Sequence, residues 1–150
     1  MERGELFLAY LGERMGSVQH GTRPVIVVQN NTGNRHSPTV IVVPLTSASK
    51  NDIPTHVMIE KQGELTEDST ALAEQIMTID KDCIIKKYGM ISREKMEMIN
   101  TALKISLGVY YNDEQTRNGR LRRGSDPQDN IGTVPEIQRQ DEGADTEKSS

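Results

Sequence analysis

Arg23 and Thr46 are the two side chains whose types and placement best suit work on a phosphate. Arg23 opens an apolar run at residues 24–29 (PVIVVQ), and Thr46 closes a second at residues 39–45 (TVIVVPL). Both runs are rich in β-branched residues and bounded by turn formers, which is how strands buried on at least one face read. In an antiparallel hairpin the first residue of one strand lies beside the last of the next, so Arg23 and Thr46 would meet at one end of the sheet. A loop bracketed by Gly16 and Gly21 (GSVQHG) runs straight into Arg23 and shares that end. Pro24 biases Arg23 away from helical geometry and pins the backbone from which the guanidinium projects. Guanidinium, hydroxyl and glycine-lined backbone together form a cradle for phosphate. From Arg14 to Asn51 there is no Asp or Glu, although the 150 residues contain 22 acids, and the same window carries Arg14, Arg23, Arg35, Lys50, His20 and His36. It reads as an anion surface. Hairpins without any site produce the same spacing, and the residues alone leave both readings open.

The elements that must position these groups follow in chain order. Residues 5–11 (ELFLAYL) are apolar on both faces, as a strand inside a small barrel would be. The hairpin connection 30–38 holds Asn30, Asn31, Gly33 and Asn34 and reads as a polar turn. A polar loop, 47–54, leaves from Thr46 at the same mouth as the glycine-bracketed loop, and residues 55–60 (THVMIE) form a further strand with His56 at its margin. Residues 69–77 (STALAEQIM) are ambiguous between strand and helix by propensity. Residues 80–83 suit a short helical turn and 84–90 a last strand. Ser92 then caps a helix to Leu107, with Gly108 at its end. Its apolar stripe, Met96, Ile99, Ala102, Leu103 and Leu107, should pack on the barrel. Tyr110 and Tyr111 end the fold or contact a second subunit.

Composition divides the chain at about residue 112. Residues 113–150 hold only five aliphatic side chains, too few to offset chain entropy, and read as a disordered acidic tail behind a domain spanning 1–112. That tail has six basic and nine acidic residues, −3 of the chain's −4, which leaves the domain near neutral. Cys83 is the single cysteine, so no intrachain disulfide can form. Without a signal core or a spanning apolar run, a cytoplasmic protein with no membrane association is the expectation. Scattered His20, His36 and His56 lack metal-ligand spacing, so no metal and no cofactor is expected. One Phe, four Tyr and no Trp leave little for stacking on bases, which disfavours a generic RNA-binding module.

The chain also resembles a known family. Gly4-Glu5, the run from Gly16 to Pro24, Gln29-Asn30 with Asn34 through Thr39, Leu45-Thr46, Pro54 through Val57, and Glu74 through Asp80 look like the MazF/PemK toxin endoribonucleases, in one register over about residues 3–108. The resemblance implies an SH3-like small β-barrel with a C-terminal helix, acting as a homodimer that cuts single-stranded RNA without a metal and is neutralised by a cognate antitoxin. Arg23 and Thr46 match the family's catalytic pair, and Ser17, Gln19 and Gln75 fall at substrate-binding positions, Gln75 as a base-edge reader on a strand. Relatives commonly carry Glu where this chain has Val18, which puts the proton-transfer assignment in question; His20, two residues on, is the local candidate for it.

The chemistry implied is attack of a ribose 2′-OH on the adjacent phosphate, giving a 2′,3′-cyclic phosphate and a 5′-OH end. The nucleophile belongs to the substrate, so the protein need only position it, move protons and stabilise charge. Two alternatives stand beside this: a toxin of the same fold that inhibits a topoisomerase by binding, and a catalytically silent binding module.

Overall fold

In the computed structural model the described residues are 1–109, so the expectations for Tyr110, Tyr111 and the tail 113–150 lie outside them. The chain divides into two units, Met1–Leu103 and the segment from Lys104 onward.

The first unit is a curled antiparallel sheet. Strands β1 (Glu5–Tyr10), β2 (Thr22–Val27) and β3 (Thr39–Thr46) pair in sequence, followed by β4 (His56–Ile59), β5 (Ser69–Leu72), β6 (Met77–Asp80) and β7 (Ile84–Met90). The order β4-β5-β3-β2-β1-β7 is continuous, with β6 also on β3. The ladder does not close from β7 to β4. That gap is spanned instead by the 60–68 turn, where the Glu64 N–H reaches the Tyr88 carbonyl at 3.1 Å. The small barrel-like fold with a C-terminal helix thus matches the expectation.

Strands β1 to β3 bury both faces, and the two faces feed separate cores. Leu6, Ile26, Val43 and Leu45 point inward to a core shared with Ile59 and Ala71 and capped by Ile99, Ala102 and Leu103. Phe7, Ala9, Val25, Val27, Val40 and Val42 point to the other, with Ile79. Helix α2 (Arg93–Leu107) supplies that cap. It starts where expected, the Ser92 hydroxyl accepting the Lys95 N–H at 3.2 Å. Of its expected stripe Ile99, Ala102 and Leu103 are buried and Met96 packs against the inner core, but Leu107 is 59% exposed and does not belong to it.

In the second unit α2 ends as a Schellman turn: Gly108 sits at φ 71, its N–H meets the Ile105 carbonyl at 3.2 Å, and the Val109 N–H meets the Lys104 carbonyl at 2.9 Å.

Two local expectations are corrected. The hairpin connection contains a helix, α1 (Asn31–His36), capped by the Asn30 side chain, which accepts the Gly33 N–H at 2.8 Å. The four residues read as a turn are also good capping residues, and the cap prevailed. The stretch expected as one strand over 69–77 is broken by a 3-10 turn, Ala73–Gln75, between β5 and β6. The break lets both strands use one edge of β3: β5 takes Leu45 and Thr46, and β6 takes residues 39–42.

Candidate active site

The β2–β3 ladder pairs Val25 with Pro44, Ile26 with Val43 and Val27 with Val42, and there it stops. Continuing the same register by two residues sets Arg23 opposite Thr46, and strand alternation puts both on one face of the sheet. Beyond Val25 the strands part company. β2 stays with β1, Arg23 pairing with Ala9, while β3 stays with β5, Thr46 pairing with Thr70. Pro24 contributes to the parting, because it has no N–H to give a ladder.

A cleft of about 280 Å³ opens at this parting. Thr22, Arg23 and Pro24 form one wall, Leu45 and Ser47 the other, and Glu64, Glu67, Ser69 and Tyr88 complete it. Arg23 is half-buried, and its Nε donates to the His20 carbonyl at 3.2 Å, which leaves the NH1 and NH2 end of the fork to a ligand. Thr46 is 3% exposed, and its hydroxyl oxygen accepts the Ala48 N–H at 3.2 Å while its own proton remains to be given. Thr46 is not among the residues that line the cleft, and a phosphate reaching its hydroxyl requires the rim to move.

The acid-free window does not make an acid-free mouth. Glu64 and Glu67 enter the cleft from the turn between β4 and β5, Glu64 neutralised by Lys86 at 2.8 Å. The expectation failed because a run along the chain says nothing of what another strand brings beside it.

Two loops flank the mouth. Residues 12–21 form the first, closed at its neck by the Leu11 N–H to the Gly21 carbonyl and the Gly21 N–H to the Gly12 carbonyl, both at 2.8 Å. At its tip the Gln75 side chain takes both sides of its backbone: its carbonyl oxygen accepts the Gln19 N–H at 2.7 Å and its amide donates to the Ser17 carbonyl at 3.2 Å. Gln75 therefore lies beside this loop on a 3-10 turn rather than a strand, with its amide engaged by the loop backbone. Gln19 is 9% exposed, and its side-chain oxygen is buried without a hydrogen-bond partner. His20 is exposed, its Nδ1 lying 3.0 Å from the Val18 carbonyl, while the Val18 side chain is 42% exposed.

The second loop, 47–55, is held by His56, which composition left as a strand-margin residue. Its Nδ1 lies 2.9 Å from the Asn51 carbonyl and its Nε2 2.8 Å from a Glu74 carboxylate oxygen. Burial pulls the His56 pKa down, but the Glu74 hydrogen bond, the Asn51 carbonyl and the Glu74 charge together outweigh that and the opposing Lys50, so it stands above the ordinary value. Nothing in the sequence marks this pair, since 17 residues separate its members.

Among the described residues no group of three His, Cys, Asp or Glu side chains is placed to hold a metal, and no helix is long and apolar enough to cross a membrane.

Residues 2–107 match the model of the PemK-like, MazF-like toxins of type II toxin-antitoxin systems. Over 112 residues the chain is 48% identical to an endoribonuclease MazF of Staphylococcus saprophyticus, an alignment covering 73% of this chain and 93% of the relative. Among solved structures it is similar to an endoribonuclease in complex with its cognate antitoxin from a mycobacterial species, at 32% identity and a TM-score of 0.63, covering 75% of this chain and 99% of that one. A MazF of Deinococcus radiodurans shares the fold at 20% identity and the same TM-score, covering 72% of this chain and 96% of that one.

Proposed function

Because the chain belongs to the PemK-like, MazF-like toxin family, we propose that it is an endoribonuclease cutting single-stranded RNA at the mouth where β2 and β3 separate. The observation that supports this reading is a cleft large enough for a nucleotide's edge, lined by Arg23 and by Leu45 and Ser47, the two neighbours of Thr46. The substrate's 2′-oxygen forms a bond to the adjacent phosphorus and the bond from phosphorus to the 5′-oxygen breaks. The 2′-OH loses a proton, the departing 5′-oxygen gains one, and the products end in a 2′,3′-cyclic phosphate and a 5′-OH.

In this scheme the free face of the Arg23 guanidinium holds the non-bridging oxygens as negative charge grows, and Thr46 donates its hydroxyl proton to one of them. His20, exposed on the loop that leads to Arg23, moves one of the two protons. Ser17, Gln19 and Gln75 border the path of the RNA. No step of this scheme calls for a metal. The working form is a homodimer restrained by a cognate antitoxin, and the tail after residue 112 stands outside the catalytic domain.

The test is incubation of the purified protein with a long RNA in EDTA, alongside Arg23→Ala. Wild type should cut at one repeated short sequence, leaving ends that carry a cyclic phosphate, and Arg23→Ala should lose cleavage by at least about a hundredfold. Near wild-type cutting by that variant would reject the assignment.

A further inference from the structure

Both rim loops are tied to one place. The 3-10 turn Ala73–Gln75 presents Gln75 to the backbone of loop 12–21 and, from the residue before, Glu74 to His56, which in turn holds loop 47–55 at the Asn51 carbonyl. One loop leads into Arg23, and the other leaves from Thr46 and puts Ser47 in the cleft wall.

The protonation state of His56 follows from what it faces. A neutral imidazole has one N–H and one acceptor nitrogen, yet here Nδ1 faces a carbonyl oxygen and Nε2 a carboxylate, neither of which can donate. Only the imidazolium satisfies both, and its side chain is 10% exposed against 27% for Glu74. The charged groups facing the ring are Glu74, from the 3-10 turn, and Lys50, from the loop itself.

We propose that the Ala73–Gln75 turn is a common post for both rim loops, with Gln75 and, through Glu74, a doubly protonated His56 acting as positioning residues for Arg23 and Thr46. This deepens the endoribonuclease reading and rests on it, and it moves Gln75 from base reader to loop anchor. The raised folded pKa has a sign consequence: the hold on loop 47–55 is complete below the ordinary histidine value and is lost as pH rises through the raised one.

Two exposed basic residues let each loop be read without RNA, since trypsin cuts after Arg14 in the first and after Lys50 in the second. Rates at the two sites, read by mass spectrometry of new termini between pH 6 and 9 and normalised to an unstructured peptide in the same tube, are compared with single-turnover RNA cleavage. Gln75→Ala should speed the Arg14 cut about tenfold or more, leave the Lys50 cut unchanged and slow RNA cleavage at all pH values. Gln75→Glu keeps the acceptor for the Gln19 N–H and should fall between. In wild type the Lys50 cut should accelerate with pH. Glu74→Gln should flatten that rise and the matching alkaline fall in RNA cleavage, because an amide N–H can donate to the Nε2 of a neutral ring. An unchanged Arg14 rate in Gln75→Ala, or the same pH dependence at Lys50 in wild type and Glu74→Gln, would overturn the post. Altered tryptic rates with RNA cleavage unaffected would overturn its role in positioning. Wild type that cuts no RNA in any arm would instead bring down the endoribonuclease reading, with the tryptic pattern still deciding whether the loops are held as described.

Discussion

Thr46 offers a way to separate catalysis from folding at a single position. Valine has nearly the same shape as threonine, so Thr46→Val keeps the volume of a side chain that is only 3% exposed while removing its hydroxyl. Its cost to the fold is one hydrogen bond, from the Ala48 N–H at 3.2 Å, worth about 0.5–1.5 kcal/mol net. Ala48 is exposed and water can take up its N–H, and an apolar methyl in a buried place offsets part of the rest, so stability should change by less than about 1 kcal/mol. The loss to the reaction is of another size: one donor to the developing oxyanion is worth about a hundred- to a thousandfold in rate, or roughly 3–4 kcal/mol. Thr46→Ser inverts the balance. It keeps the donor and deletes a buried methyl, costing about 1 kcal/mol and moving the urea midpoint down by about 0.5–1 M for a slope of about 1–2 kcal/mol/M. The assays are urea unfolding followed by circular dichroism and single-turnover cleavage of a fluorogenic RNA under excess protein. The reasoning is refuted if the valine variant cleaves within about tenfold of wild type, or if the serine variant is the less active of the two.

Other outcomes follow from the same geometry. His20→Ala should change the shape of the pH–rate profile, and an unchanged profile under single-turnover conditions would remove His20 from proton transfer. Truncation after Asn112 should leave the cleavage rate of the fluorogenic RNA within about threefold of the full chain, since the family match ends at residue 107, and a larger loss would place part of the tail in the site. Ile99→Ala removes a fully buried side chain by which α2 caps the inner core and should cost about 2–5 kcal/mol in urea unfolding. A value below about 1 kcal/mol would mean that the cap is not well packed.

What the sequence made legible is what local chemistry decides. β-branched runs marked β2 and β3, and Ser92 and Gly108 marked the ends of α2. The short helix after Asn30 escaped because Asn and Gly serve turns and caps alike, and the break at Ala73–Gln75 because propensity cannot register that two strands must share one edge of β3. At the site, the misses are all partners from remote segments: Glu64 and Glu67 in the cleft, Gln75 on the loop backbone, Glu74 on His56. An acid-free window is a one-dimensional statement, and the field at Arg23 depends on what other strands bring beside it.

The location of the cleft has a cause that joins these levels. A sheet of this size curls, and β3 meets that demand by changing neighbours along its length, pairing with β2 and β6 over its first part and with β5 at Leu45 and Thr46. Near the point where β6 gives way to β5 on one edge of β3, β2 leaves the other edge, and Pro24 stands there without an N–H to hold it. Backbone that would otherwise be sealed in a ladder is thus opened beside a half-buried guanidinium and a hydroxyl whose positions are still set by rigid strands on their other sides, Ala9 for Arg23 and Thr70 for Thr46. A site built on strand ends keeps its groups in place while leaving room for a ligand between them, and only its rim loops need to move. On the proposed reading the anchors of those loops lie off β2 and β3, with Glu74 and Gln75 on the 3-10 turn and His56 at the start of β4.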